Sequence, residues 1–107
     1  MFIIELTYLK PLETVEKYLA EHRAFLDDGY ANNYFVASGP KNPRTGGMII
    51  SQLTDRETLD TILQQDPFYI NHIADYSVTE FNPAKALQSL IQQNFIKILQ
   101  PLSQHFK

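Results

Sequence analysis

Two ionisable residues stand where helical spacing calls for apolar ones, and together they make an acid–base pair. Leu12, Val15, Leu19, His22 and Leu26 recur at three- and four-residue intervals. At about 100° per residue they form one stripe with His22 near its centre. Leu59, Ile62 and Leu63 open a second stripe, and Asp66 continues it one turn later. Burying an imidazole or a carboxylate on a core-facing surface is costly unless each is partnered. If the two helices pack side by side on one sheet, each group supplies the other's partner. An imidazole oriented by a carboxylate can move a proton to or from a substrate. Each residue also has a plainer role open to it. His22 can be a core histidine satisfied by a backbone carbonyl. Asp66, followed by Pro67 and Phe68, has the form of an N-cap with proline at the first helical position. Capping and pairing are compatible, because a carboxylate offers several acceptor sites.

The remaining polar candidates gather around one turn-rich segment. Ser38, Gly39 and Pro40 are candidates for substrate binding at a strand end, where a hydroxyl also commonly stabilises a turn. No Gly-x-Ser-x-Gly elbow surrounds Ser38, so a nucleophilic serine is not expected. Lys41 and Arg44 can attract an anion to the loop or simply keep it soluble. Gly46-Gly47 is not followed by the Lys-Ser/Thr of a phosphate-binding loop. Tyr8, Tyr34 and Phe68 are candidate pocket walls, with core or interface packing as the alternative. His72 and Asp75 find no matching ligand set with His22 or His105, so no metal site is expected.

The elements that must position these residues follow from period and punctuation. Phe2 to Leu9 alternates as a strand, and Lys10-Pro11 ends it. A helix is expected from Leu12 to Asp28, with Glu13 and Glu16 early, where the macrodipole favours acids, and Gly29 as its C-cap. Tyr34 to Ser38 is a second strand, residues 39–47 a loop, and Met48 to Leu53 a third strand. Thr54 or Asp55 caps a helix beginning near Arg56 and reaching Gln65 or Asp66, with Glu57 placed for a capping box with Thr54. A short helical turn over Pro67 to Ile73 precedes a fourth strand from Tyr76 to Phe81. The order β-α-β-β-α-β is that of a ferredoxin-like α+β fold, with both helices on one face of an antiparallel four-stranded sheet. The strands carry apolar residues on both faces, as at Phe2 and Ile3 or Ile49 and Ile50. An uncovered apolar sheet face implies a partner, and a second copy of the chain is the simplest one. Beyond the core at residues 1–81, a helical extension over 82–107 is expected. It starts at Asn82-Pro83, carries the stripe Leu87, Leu90, Ile91, Phe95 and Ile98, and ends or kinks at Pro101.

Composition bounds the function. The 107 residues suit a single domain with one core. A net charge of −3 with scattered Lys and Arg argues against a nucleic-acid surface, which needs a basic stripe. The chain contains no cysteine, so thiolate nucleophiles, disulfides and zinc–thiolate sites are excluded. No apolar run is long enough to cross a bilayer, no signal-like segment opens the chain, and a cytoplasmic location is the expectation.

Four short motifs give the chain a resemblance. Glu21-His22-Arg23-Ala24-Phe25-Leu26 in the first helix, Ser38-Gly39-Pro40, Gly46-Gly47 and Asp66-Pro67-Phe68 occur in that order over residues 1 to about 81. Together they resemble the YciI-like proteins of the dimeric α+β barrel superfamily. The resemblance implies a ferredoxin-like protomer, a dimer formed through the sheets, and an active site on His22 and Asp66, with Ser38 a lesser candidate. Relatives with known chemistry act on small ring compounds, including elimination and isomerisation, so the resemblance does not fix a substrate. The expectation is a small homodimeric enzyme using a His22–Asp66 pair for general acid–base chemistry: elimination, isomerisation or hydrolysis of a small organic compound, with no cofactor implied. Ser38, Gly39, Pro40 and Phe68 are the expected substrate contacts. The alternative is a non-catalytic ligand-binding or interaction module in which the pair is a structural or pH-sensitive link.

Overall fold

A computed structural model describes residues 1–87. Its elements run β1 (Phe2–Tyr8), α1 (Leu12–Lys17), α2 (Leu19–Ala31), β2 (Phe35–Pro40), β3 (Gly46–Ser51), α3 (Arg56–Leu63), α4 (Pro67–Ile70) and β4 (Ala74–Glu80). The strands form one sheet in the order β2-β3-β1-β4, with every neighbouring pair antiparallel. This is the ferredoxin-like arrangement that the order of elements implied. Strand alternation divides β1 cleanly. Phe2, Ile4 and Leu6 are buried under the helices, while Glu5 and Thr7 are exposed on the other face. Val15 from α1, Leu59 and Leu63 from α3, Phe68 from α4, Phe35, Ile49 and Ile73 complete the core. On the open face Ile3, Met48 and Ile50 are half-buried among polar neighbours. No described helix is long and apolar enough to cross a membrane.

Several boundaries depart from the sequence expectation, each for a local reason. The first helix is two segments meeting at Tyr18, whose N–H bonds the carbonyl of Val15, three residues back rather than four. Gly29 is not the cap; it is buried inside α2, where a Cβ would lie 2.2 Å from ring carbons of Phe35. The missing side chain lets β2 pack close to the helix. The helix ends at Asn32, and Asn33 takes the left-handed conformation (φ 62°) that asparagine tolerates. Asp55 rather than Thr54 caps α3, accepting from the Thr58 backbone N–H at 3.1 Å and its hydroxyl at 2.6 Å, so Thr58 takes the place expected of Glu57. α3 stops at Leu63 and α4 at Ile70, each short of expectation. β2 reaches Pro40 and β3 begins at Gly46, so the loop is only residues 41–45. Gly46 makes this possible, because a Cβ there would fall 1.7 Å from the Leu6 carbonyl oxygen. No helix starts at Pro83: Phe81 pairs with Met1 in extension of the sheet, and residues 82–87 have no regular structure. The rest of the expected C-terminal helix lies outside the described residues.

A β-bulge in β2 sets which of its side chains face the helices. Phe35 faces Ser51, but Ala37 faces Ile50, which leaves Val36 unpaired in the register. A one-residue slip moves every later side chain to the opposite face. Ser38 therefore lies opposite Ile49, and Pro40 opposite Gly47, on the helix-covered side of the sheet.

Candidate active site

His22 and Asp66 meet, although Asp66 lies beyond the end of α3 and is held as the N-cap of α4 rather than as the next turn of the second stripe. His22 Nδ1 lies 2.8 Å from Asp66 Oδ1, with Asp66 fully buried and His22 nearly so. α2 and α4 bring them together from the same face of the sheet. Asp66 also caps α4: the same Oδ1 accepts the Phe68 backbone N–H at 3.0 Å, with Pro67 at the first helical position. Capping and pairing thus coexist on one oxygen. The second oxygen, Oδ2, accepts from the Tyr76 hydroxyl at 2.6 Å.

This network assigns the protons. A carboxylate only accepts, so His22 Nδ1, Phe68 N and Tyr76 Oη all donate. Burial, then the Asp66 charge and the hydrogen bond to it, push the Tyr76 phenol well above its usual range, so it remains a donor. With its proton on Nδ1, the neutral imidazole carries its lone pair on Nε2. Among the described residues that atom has no hydrogen-bond partner, and none of their buried side-chain polar atoms lacks one; with respect to those residues Nε2 is therefore accessible. The Phe68 ring stacks on the imidazole at 4.0 Å between centroids and 2° between planes, which fixes the ring's tilt as Asp66 fixes its rotation.

His22 opens onto a cavity of about 640 Å³ between α1, α2 and the β2-β3-β1 part of the sheet. That volume is in the range of about 300–1,000 Å³ common for small-molecule sites. Ser38, Gly39, Pro40 and Phe68 all line it, as does Tyr8; Tyr34 does not, packing against the core instead. The bulge explains how consecutive strand residues reach one cavity: it turns Ser38 and Pro40 inward. The Ser38 hydroxyl is 2.7 Å from Tyr30 Oη, so it ties β2 to α2 rather than closing a turn. Lys41 points away, onto the open sheet face, where its ammonium pairs with Glu5 at 2.9 Å. Arg44 lines the cavity and pairs with Glu16 of α1 at 3.2 Å. Arg23 lines it as well. Among the described residues no group of three His, Asp or Glu side chains is gathered as a metal ion would require.

Sequence reasoning missed Tyr76, Tyr30, Glu16 and Arg23. Tyr76 had a usable signal: it shares a face of β4 with Val78, and a phenol on a core face needs a partner. Arg23 and Glu16 had none, since charged residues on a helix ordinarily face water.

Similarity to known proteins bears on this geometry. A model of the YCII-related domain matches residues 1–82. No curated protein gives a significant match. Among solved structures, the chain is similar to 5-chloro-2-hydroxyhydroquinone dehydrochlorinase from Burkholderia phenoliruptrix AC1100, in complex with 2,5-dihydroxybenzoquinone. The TM-score is 0.64 at 18% identity, covering 77% of this chain and 94% of that one.

Proposed function

This chain belongs to the YCII-related domain family, and from that premise we propose that it is a small-molecule enzyme in which His22 Nε2 is the general base and acid and Asp66 orients it. The observation that carries the reading is the division of labour on the imidazole. Nδ1 is held in a buried network, while Nε2 is accessible beside a cavity lined by apolar side chains and a few polar groups. A purely structural pair needs only the first half of that arrangement. The base takes a proton from a C–H or O–H acid of the substrate, and the resulting imidazolium is stabilised by the Asp66 carboxylate beside it. In an elimination, the electron pair of the broken C–H bond forms the new double bond, and the leaving group departs with the pair of its own bond. In an isomerisation, the same proton returns at a different atom; in a hydrolysis, the base takes its proton from water. Each route uses the residues already in place. The similar dehydrochlorinase acts on a small ring compound, which supports elimination as the first reaction to test.

The enzyme is proposed to work as a homodimer through the open sheet face, where Ile3, Met48 and Ile50 form an apolar strip. The test of function is a panel of halogenated and hydroxylated ring compounds incubated in deuterated water. Halide release and deuterium incorporation are followed for the wild type and for His22→Gln. Turnover by the wild type and none by the folded variant is expected. Equal turnover by both refutes the assignment.

A further inference from the structure

The cavity carries a charge pattern that proton transfer alone does not require. α2 presents residues 19, 22, 23 and 26 to it, so Arg23 stands beside the imidazole on the same helical face. No carboxylate lies within ion-pair distance of Arg23 among the described residues. Arg44 approaches from the loop between β2 and β3. Its partner Glu16 is 60% exposed, and an exposed pair of this kind is worth little. An incoming anion can therefore take over the guanidinium at small cost. Among the described residues Glu16 is the one acidic side chain lining the cavity, and the oxygens of Asp66 are committed behind the imidazole to three donors. The chain as a whole is negative, at −3, so two guanidiniums at one cavity are a local feature, not a general bias. Between them the wall is apolar, with Leu26, Ile49 and Phe68.

We propose that the substrate is a small organic anion with an apolar body, an aromatic carboxylate or a phenolate, whose charge is held by Arg23 and Arg44 while its apolar part lies against the cavity wall beside His22. This rests on the cavity being the active site. Guanidiniums match a carboxylate's two oxygens. Held by its charged end, the substrate keeps one orientation, which brings the same atom to Nε2 at each encounter. The arginines are thereby specificity-determining groups, separate from the proton carrier.

The test compares binding of benzoate and benzamide, two probes of nearly equal shape that differ in charge, by NMR titration of the full chain. Benzoate is expected to shift resonances of cavity residues and to bind about tenfold more tightly than benzamide, the scale of one charge-assisted hydrogen bond. That advantage shrinks as salt is raised. It disappears in the Arg23→Gln/Arg44→Gln variant. It survives in Lys41→Gln, which removes an equal charge on the other face of the sheet. Equal binding of the two probes, no shift at the cavity from either, or an advantage that persists without both arginines overturns the proposal. Binding is read without turnover, so a catalytically silent His22–Asp66 pair leaves the benzoate preference intact. Conversely, a lost preference leaves the His22→Gln test standing.

Discussion

Replacing Asp66 by alanine removes an acceptor from three buried donors at once. In the wild type, Oδ1 takes His22 Nδ1 and Phe68 N at 2.8 and 3.0 Å, and Oδ2 takes Tyr76 Oη at 2.6 Å. Loss of the cap to α4 costs about 1 kcal/mol. Leaving the imidazole and phenol donors without acceptors costs about 1–3 kcal/mol each. His22 faces a cavity where water can partly compensate, so its share falls at the low end of that range. The sum is about 4 kcal/mol. Against a domain stability of about 5–15 kcal/mol, this is a large fraction. In urea the midpoint should fall by about 2 M, with an unchanged slope if unfolding stays two-state. Asp66→Asn keeps one acceptor oxygen and a good cap but aims an amide donor at a donor, so a cost of about 2 kcal/mol is expected. An Asp66→Ala protein within about 1 kcal/mol of the wild type would refute the buried three-donor network.

Tyr76 makes stability pH-dependent. Its folded pKa is raised by burial and by Asp66, so its contribution is complete below the ordinary tyrosine value of about 10 and is lost as pH climbs above it. Tyr76→Phe should lower stability at neutral pH and flatten the decline above a pH of about 10 in urea melts; parallel declines would contradict this. Gly46→Ala should destabilise by about 2 kcal/mol or more, because its Cβ meets Leu6 backbone at 1.7 Å. Gly39→Ala, with nothing within 4 Å of the new carbon, should stay within about 0.5 kcal/mol. Calorimetry separates the two. Ile3→Lys together with Ile50→Glu should convert the proposed dimer to a folded monomer in light scattering; an unchanged dimer would move the interface elsewhere.

Helical and strand periodicity made most of the fold and the central pair legible. His22 and Asp66 were visible because each breaks an apolar stripe, and a break in a strong pattern is informative in one sequence. The first strand was visible because apolar and polar residues alternate along it, as Phe2, Ile4 and Leu6 do with Glu5 and Thr7, and the second and third as short apolar runs on either side of a Gly- and Pro-rich turn. The break at Tyr18 was not, since a change from a four-residue to a three-residue hydrogen bond leaves no residue signature there. Gly29 was misassigned because a glycine near a helix end serves equally as a cap or as a gap for a neighbouring ring, and only Phe35 decides between them. The bulge at Val36 was invisible, and with it the inward turn of Ser38 and Pro40. Tyr76 was placed on its strand but not connected to Asp66, because the contact joins residues ten positions apart through tertiary packing.

The most direct test of His22 as the proton carrier is chemical rescue of the His22→Ala protein. A folded variant should be inactive on a substrate that the wild type turns over. Added free imidazole should restore part of the turnover, rising with its concentration, because it supplies the missing base in the space the side chain left. Wild-type activity in His22→Ala without imidazole would contradict the assignment of proton transfer to this residue.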